Sequence, residues 1–333
     1  MLDEFTLSLQ QAEDVLGLLD LRGPVQVAQV RDYNHTYRLV CAGQTFYLKV
    51  HTKDWYPQDD AETGYSARHE ASAWKILADH GLAAPEVMLV GVGRSNPVGR
   101  SFLLTREVQG EPLQQLFKRA TPQQIQEMLY AVGAYLRQMH TIHFRYPGYI
   151  IDDGPAAPPH EDQWQHFIWS LTTRQQETRT WIQAHSNELS APLLTQLEAC
   201  IDEMPEYLYL DYTKPRFTQG DFKADQILMR QQDTHWQVAA VLDMEVASAG
   251  DCLSDVVAFC LAAAQCLTTE SNWWLDLFAG YGHEPDFKAF ILRALVGWYP
   301  YQANIWPGTG ESGFNHLLHS NNWSELFAHA HLT

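Results

Sequence analysis

The chain has 333 residues, 46% of them apolar and 12% aromatic, and its 22 basic against 40 acidic side chains give a formal net charge of −18. That length suits about two domains with sizeable cores, and the acidic balance argues against nucleic acid or an anionic membrane surface as a partner. No apolar run approaches the length of a membrane span. The charge is uneven, since residues 1–108 carry 10 Lys+Arg against 14 Asp+Glu while residues 109–333 carry 12 against 26. Such an acidic second part suits a cationic small substrate and equally suits plain solubility.

The opening MLDEFTLSLQQAED is acidic and amphipathic, without the basic and apolar regions of a secretory signal. Five cysteines, odd in number and with no Cys-x-x-Cys pair, point to reduced thiols in a cytoplasmic protein. Segments 25–31, 35–41 and 45–51 alternate apolar and polar residues and are predicted to form a meander of antiparallel strands. Lys49 falls inside the third strand, where a lysine commonly faces solvent. The helix predicted over 66–81 carries Glu70 ahead of the apolar positions Ala73, Trp74 and Leu77. A strand lysine paired with a glutamate of the following helix is an arrangement that holds nucleotide phosphates. The first turn reads RDYNHT, so no glycine-rich phosphate loop is present and a P-loop fold is disfavoured.

Residues 86–93 read as a further strand and 101–113 as another that breaks at Gly110. Helical periodicity follows at 123–143 and near 163–185, 190–204, 253–267 and 285–304. His140, at the end of the first of these, is assigned a structural role. Most of the late aromatics are expected in the core, with Trp298, Tyr299, Tyr301 and Trp306, beside Pro300 and Pro307, the best placed to line a pocket. The pairs His316/His319 and His329/His331 lack cysteine or acidic partners at fixed spacing, and no structural metal is expected of them.

Chemistry concentrates in two later segments. Residues 217–229 read FTQGDFKADQILM and residues 238–255 read VAAVLDMEVASAGDCLSD, so two apolar strands each deliver an aspartate at a turn. Phosphoryl transfer needs such a pair: Asp221 to accept a proton from an attacking hydroxyl, and Asp243 to hold a magnesium ion. Gln226, five residues beyond Asp221, can offer an amide oxygen to a second ion. Taken singly, an aspartate beside glycine or at a strand end more often caps a turn. Asp255 opens an apolar helix and is better suited to capping or to bracing a loop.

These segments resemble the aminoglycoside phosphotransferase and choline kinase group of small-molecule kinases, in which His-Gly-Asp, four residues and Asn are followed by Ile-Asp-Trp/Phe-Glu and Gly-Asp-x-x-x-Asp. Here they stand as Gln219-Gly220-Asp221 with Gln226, Leu242-Asp243-Met244-Glu245, and Gly250-Asp251 with Asp255. Gln219 and Gln226 depart from the usual histidine and asparagine. The resemblance implies an α+β, two-lobed protein-kinase-like fold, with a small β-rich nucleotide-binding lobe over residues 1–108 and a larger, mainly helical catalytic lobe over 109–333. It implies that main-chain groups of Arg106 and Val108 meet the adenine edge, and it makes Asn34 a candidate phosphate contact. The implied reaction is ATP- or GTP-dependent, Mg2+-assisted phosphorylation of a hydroxyl on a small molecule, aminoglycoside-like or another amino or sugar compound. A choline or sugar kinase, or a nucleotide-binding module without turnover, are the alternatives.

Overall fold

The structure, a computed structural model, describes residues 5–31, 35–51, 65–154, 175–180, 182–184, 186–212, 214–267, 272–295 and 311–328. Asn34, the aromatics Trp298, Tyr299, Tyr301 and Trp306, and the pair His329/His331 lie outside the described residues. The chain divides into two units, the first formed by residues 1–110, 149–154 and 239–247 and the second by the remainder.

The first unit starts with α1 (Leu9–Gly17), whose end is set by a capping box in which the Ser8 hydroxyl accepts from Gln11 N–H while the Gln11 side chain accepts from Ser8 N–H. Then follow β1 (Gln26–Arg31), β2 (Thr36–Cys41), β3 (Gln44–Val50), α2 (Tyr65–Asp79), β4 (Val87–Gly91) and β5 (Phe102–Arg106). The strands form one antiparallel sheet in the order β1-β2-β3-β5-β4. The period-2 alternation of β3 sends Phe46, Leu48 and Val50 into a core with Val15 and Leu16 of α1, Leu39 of β2 and Phe102 and Leu104 of β5. Lys49, between two of these buried residues, therefore points to the opposite face, and its backbone pairs with Thr36 on one side and Leu103 on the other.

The strand predicted over 101–113 with a break at Gly110 forms two elements on either side of residues 107–110. β5 stops at Arg106, and after a polar stretch the short β6 (Glu111–Pro112) pairs instead with Met229 and Leu228 of β9 (Ile227–Gln232) in the second unit. Pro112 offers no N–H, so the ladder cannot continue through it.

The second unit continues with α3 (Leu113–Phe117), α4 (Pro122–Met139), β7 (Gly148–Tyr149), α5 (Ala191–Tyr212), β8 (Arg216–Thr218), β9, β10 (His235–Val241), β11 (Ser248–Gly250), α6 (Leu253–Ala263), α7 (Trp274–Tyr281), α8 (Phe287–Arg293), α9 (Glu311–His319) and α10 (Trp323–Ala328). Tyr149 of β7, and β10 from Ala239 onward, belong to the first unit. β11 pairs antiparallel with β8, Ser248 opposite Thr218 and Gly250 opposite Arg216. α5 runs past Pro205, where helical periodicity alone ends the element at 204. Proline removes the bond to the carbonyl four residues back, and Gln175 Nε2 donates to that carbonyl, Ile201 O, at 2.6 Å. The late aromatics pack as expected: Trp273, Trp274, Phe278 and Trp323 are buried, and the Trp323 ring meets Phe278, Phe287 and Phe290 at centroid distances of 4.8–4.9 Å.

Two glycines set the approach of α4 and α7. A Cβ on Gly133 would lie 2.1 Å from Leu277 O, and one on Gly280 would lie 2.1 Å from Tyr130 O. Alanine for glycine ordinarily stabilises a helix by about 1 kcal/mol, whereas overpacking costs about 1–3 kcal/mol. Because the obstructing atoms are main chain and cannot swing aside, the clash is expected to win. Urea denaturation of Gly133→Ala and Gly280→Ala should show each variant unfolding at lower denaturant than the parent.

Candidate active site

In the first unit the structure brings Lys49, Glu70 and Asp243 together. Lys49 leaves β3 on the face away from the apolar core, and its Nζ lies 3.0–3.1 Å from the two Glu70 oxygens, 3.0 Å from Asp243 Oδ1 and 2.8 Å from Glu245 Oε1. Glu70 is fully buried on α2. Its Oε1 also accepts from Met244 N–H at 3.3 Å, and Trp74 Nε1, one turn further along α2, donates to Val241 O at 2.9 Å. These two bonds hold the segment after β10 against the helix. Asp243 itself sits in that segment with φ 60°, a left-handed conformation that aspartate tolerates better than most residues.

Three carboxylates thus share one ammonium, and the surplus negative charge decides the electrostatics. Burial opposes the charge on Lys49, but Glu70, Asp243 and Glu245 overcome it and raise the ammonium well above the ordinary lysine range. Burial pushes the Glu70 carboxyl up to about 7 against the pull of Lys49, with Asp243 and Glu245 adding to the rise. At Asp243 burial also works against ionisation, yet Lys49, together with Arg31 at 3.8 Å, holds the carboxyl below its usual range. Burial and the Lys49 charge push His51 down to about 3. His51, Glu70 and Glu245 bring donor atoms within 4.8 Å of one another, but Glu70 is fully buried and its carboxyl is raised by that burial. Asp243 is the better metal donor: it is ionised and its side chain is 24% exposed. Its oxygen chemistry and the local excess of carboxylate fit a hard divalent cation such as magnesium.

The second unit holds Asp221, Gln226 and Asp255. Asp221 follows Gly220, whose φ of 88° makes the tight turn. The turn is braced from α6, where the buried Asp255 carboxylate accepts Gln219 N–H and Gly220 N–H, each at 2.8 Å. The loop-bracing role read for Asp255 is therefore observed. His140 has the structural place expected, bridging Tyr281 Oη at 2.9 Å and Asp255 Oδ2 at 3.4 Å. Asp251 is held by Arg293 of α8 in a two-pronged pair at 2.5 and 3.1 Å. Asp221 remains 36% exposed, with Lys223 Nζ 2.6 Å from Oδ1 and Gln226 Nε2 3.1 Å from Oδ2.

Arg106 closes β5 with its guanidinium on Glu86, Gln44 and the Met88 sulfur, and Val108 is half-buried just beyond. Sequence reasoning gave no role to Glu245 or Lys223. Each stands two residues after an aspartate already singled out, a spacing that is visible in the sequence but whose meaning depends on the turn.

The phosphotransferase enzyme family profile matches residues 15–291. The chain belongs to the phosphotransferase enzyme family, and its enzymatic class is that of small-molecule O-phosphotransferases. Among solved structures, a protein of Ralstonia eutropha JMP134 named as a candidate aminoglycoside phosphotransferase shares the fold with TM-score 0.61 and 17% identity, over 96% of this chain and 93% of that one. ADP-bound APH(2'')-Ib superposes with TM-score 0.55 at 14% identity, over 96% of this chain and 99% of that one. The streptomycin-ATP complex of APH(2")-IIa does so with TM-score 0.56 at 15% identity, over 97% and 99%. No curated protein matches the chain. The α+β, kinase-like fold expected from the sequence is the fold of this phosphotransferase. Among the described residues no helix is long and apolar enough to cross a membrane.

The two raised and lowered groups beside Lys49 make opposite contributions to stability. Glu70, raised from 4.5 to about 7, contributes stability below pH 4.5 that is lost as pH rises through 7; His51, lowered from 6.5 to about 3, costs stability at low pH and ceases to do so as pH rises through 6.5. In the parent the slopes oppose each other between pH 4.5 and 6.5. Glu70→Gln removes one of them, so its unfolding temperature should climb more steeply with pH through that window. Equal slopes in parent and variant would show that Glu70 does not titrate there.

Proposed function

We propose that this phosphotransferase moves the terminal phosphoryl group of ATP or GTP to a hydroxyl of a small amino- or sugar-bearing acceptor, aminoglycoside-like in the first instance. The observation that carries the reading is the braced turn at Asp221: a partly exposed carboxylate, on a loop whose two preceding N–H groups are both held by a buried aspartate. A general base needs that combination of access and fixed position. The ADP-bound and the streptomycin- and ATP-bound fold relatives support a nucleotide donor and an aminoglycoside acceptor.

In this reading the acceptor hydroxyl gives its proton to Asp221 as its oxygen bonds to the terminal phosphorus, and the bond from that phosphorus to the bridging oxygen breaks to release the nucleoside diphosphate. Lys49, kept protonated by its carboxylate neighbours and aimed by Glu70, orients the donor phosphates. Asp243 would hold magnesium, which when bound neutralises charge on the phosphates. Main-chain groups near Arg106 and Val108 are assigned to the nucleotide base.

Asp221→Asn keeps the side-chain shape but cannot take a proton, so turnover should fall by about two to four orders of magnitude with nucleotide binding retained. Asp243→Ala should instead abolish the strengthening of nucleotide binding by magnesium in calorimetry. Parent-like behaviour of both variants would reduce the two aspartates to turn residues.

The acidic stretch after residue 108, with 12 basic against 26 acidic side chains, supports a cationic acceptor. Apparent affinity for a polyamine acceptor should then weaken as salt rises to physiological levels, where screening acts over roughly 10 Å. Neutral sugars should show little change. If only neutral sugars are phosphorylated, the assignment moves to sugar kinases.

A further inference from the structure

The loop that carries Asp221 closes on itself through side chains. Asp221 N–H donates to Gln219 Oε1 at 2.8 Å, Gln219 Nε2 donates to Gln226 Oε1 at 2.9 Å, and Gln226 Nε2 donates to Asp221 Oδ2 at 3.1 Å. The ring begins at a backbone N–H, which can only donate, and ends at a carboxylate, which when ionised can only accept. Its direction is therefore dictated at both ends. Turning over either amide would set oxygen against oxygen or N–H against N–H. Gln219 is fully buried and Gln226 only 6% exposed, so water is a poor substitute for a broken link.

Gln226 consequently offers its nitrogen to Asp221, while its oxygen faces the Gln219 amide. A metal ligand at this position needs that oxygen turned outward, which would break two links of the ring at once. The departures at 219 and 226 are chemically matched: each amide supplies what the other lacks.

We propose that Gln219 and Gln226 act together as positioning residues that fix the Asp221 carboxylate, and that Gln226 holds no metal. The proposal rests on the reading of Asp221 as the base. It separates the loop into a part that aims the proton acceptor and leaves metal binding to other groups.

Gln226→Met keeps the length and loses the amide, and Gln226→Glu keeps an oxygen but places a second acceptor against Asp221 Oδ2. Both should lower kcat on the order of ten- to hundredfold, the range expected for a displaced catalytic group, with KM for the acceptor little changed. Gln219→Met should do the same, and Gln219→Met with Gln226→Met should be no worse than the poorer single variant, because one break already opens the ring. Calorimetry should find the strengthening of ATP binding by magnesium unchanged in Gln226→Met. A Gln226→Met variant that loses that strengthening, a Gln226→Glu variant with parental kcat, or losses that multiply in the double variant would each overturn the pairing. Asp221→Asn measured alongside separates the two levels of the argument. Full turnover there removes the base and the pairing with it, whereas an inactive Asp221→Asn beside fully active glutamine variants removes the pairing alone.

Discussion

A single ammonium among three carboxylates holds together parts of the first unit that lie far apart in the chain: Lys49 and Asp243 are 194 residues apart in sequence and 3.0 Å apart in space. Charges taken out of water are costly unless paired and hydrogen-bonded, so Lys49 on β3, Glu70 on α2 and the segment after β10 must meet for any of them to be tolerated there. The sheet supplies the geometry. Because β3 alternates, the same strand that buries Phe46 and Leu48 with α1 delivers Lys49 to the other face. Burial, with Asp243 and Glu245 adding to it, raises the Glu70 carboxyl to about 7, so the cluster carries a group that titrates near neutrality.

The second unit solves a different problem, the presentation of one carboxylate in a defined direction. Asp255 braces the two N–H groups before Asp221 from below, and the amides of Gln219 and Gln226 tie the carboxylate itself. Asp255 is in turn met by His140, which Tyr281 of α7 holds, and α7 lies against α4 because glycines face main chain at both contact points. Packing of two helices is thereby linked to the position of the Asp221 carboxylate through a chain of polar contacts. This is the physical content of calling His140 structural: its ring nitrogens meet Tyr281 and Asp255, and it reaches the Asp221 turn through Asp255.

Much of this was legible in the sequence. The period-2 strands, the helix carrying Glu70, the helix predicted over 123–143 and the turns at Asp221 and Asp243 follow from local rules of periodicity and turn chemistry. The matched segments, in their order, also resemble those of the aminoglycoside phosphotransferase and choline kinase group, and the phosphotransferase enzyme family profile spans residues 15–291. Local rules failed where a distant residue changed the outcome. Pro205 marks a helix end by itself, but Gln175 takes up the carbonyl that proline orphans and the helix continues. The run over 101–113 shows its break at Gly110 in the sequence, but not that Glu111 and Pro112 beyond it find their partners in β9.

What the sequence determined by itself is which side chains are available and on which element each one stands, because periodicity and turn propensity are properties of neighbouring residues. Only the tertiary structure decided which atom of each side chain is presented. Gln226 as a residue type offers an oxygen or a nitrogen equally, and the choice is made by the Asp221 N–H at one end of the ring and its carboxylate at the other. Glu245 and Lys223 likewise enter through contacts with Lys49 and Asp221. The polarity of a hydrogen-bonded network and the sharing of one charge among several partners are set by three-dimensional neighbours, and no local pattern of residues encodes them.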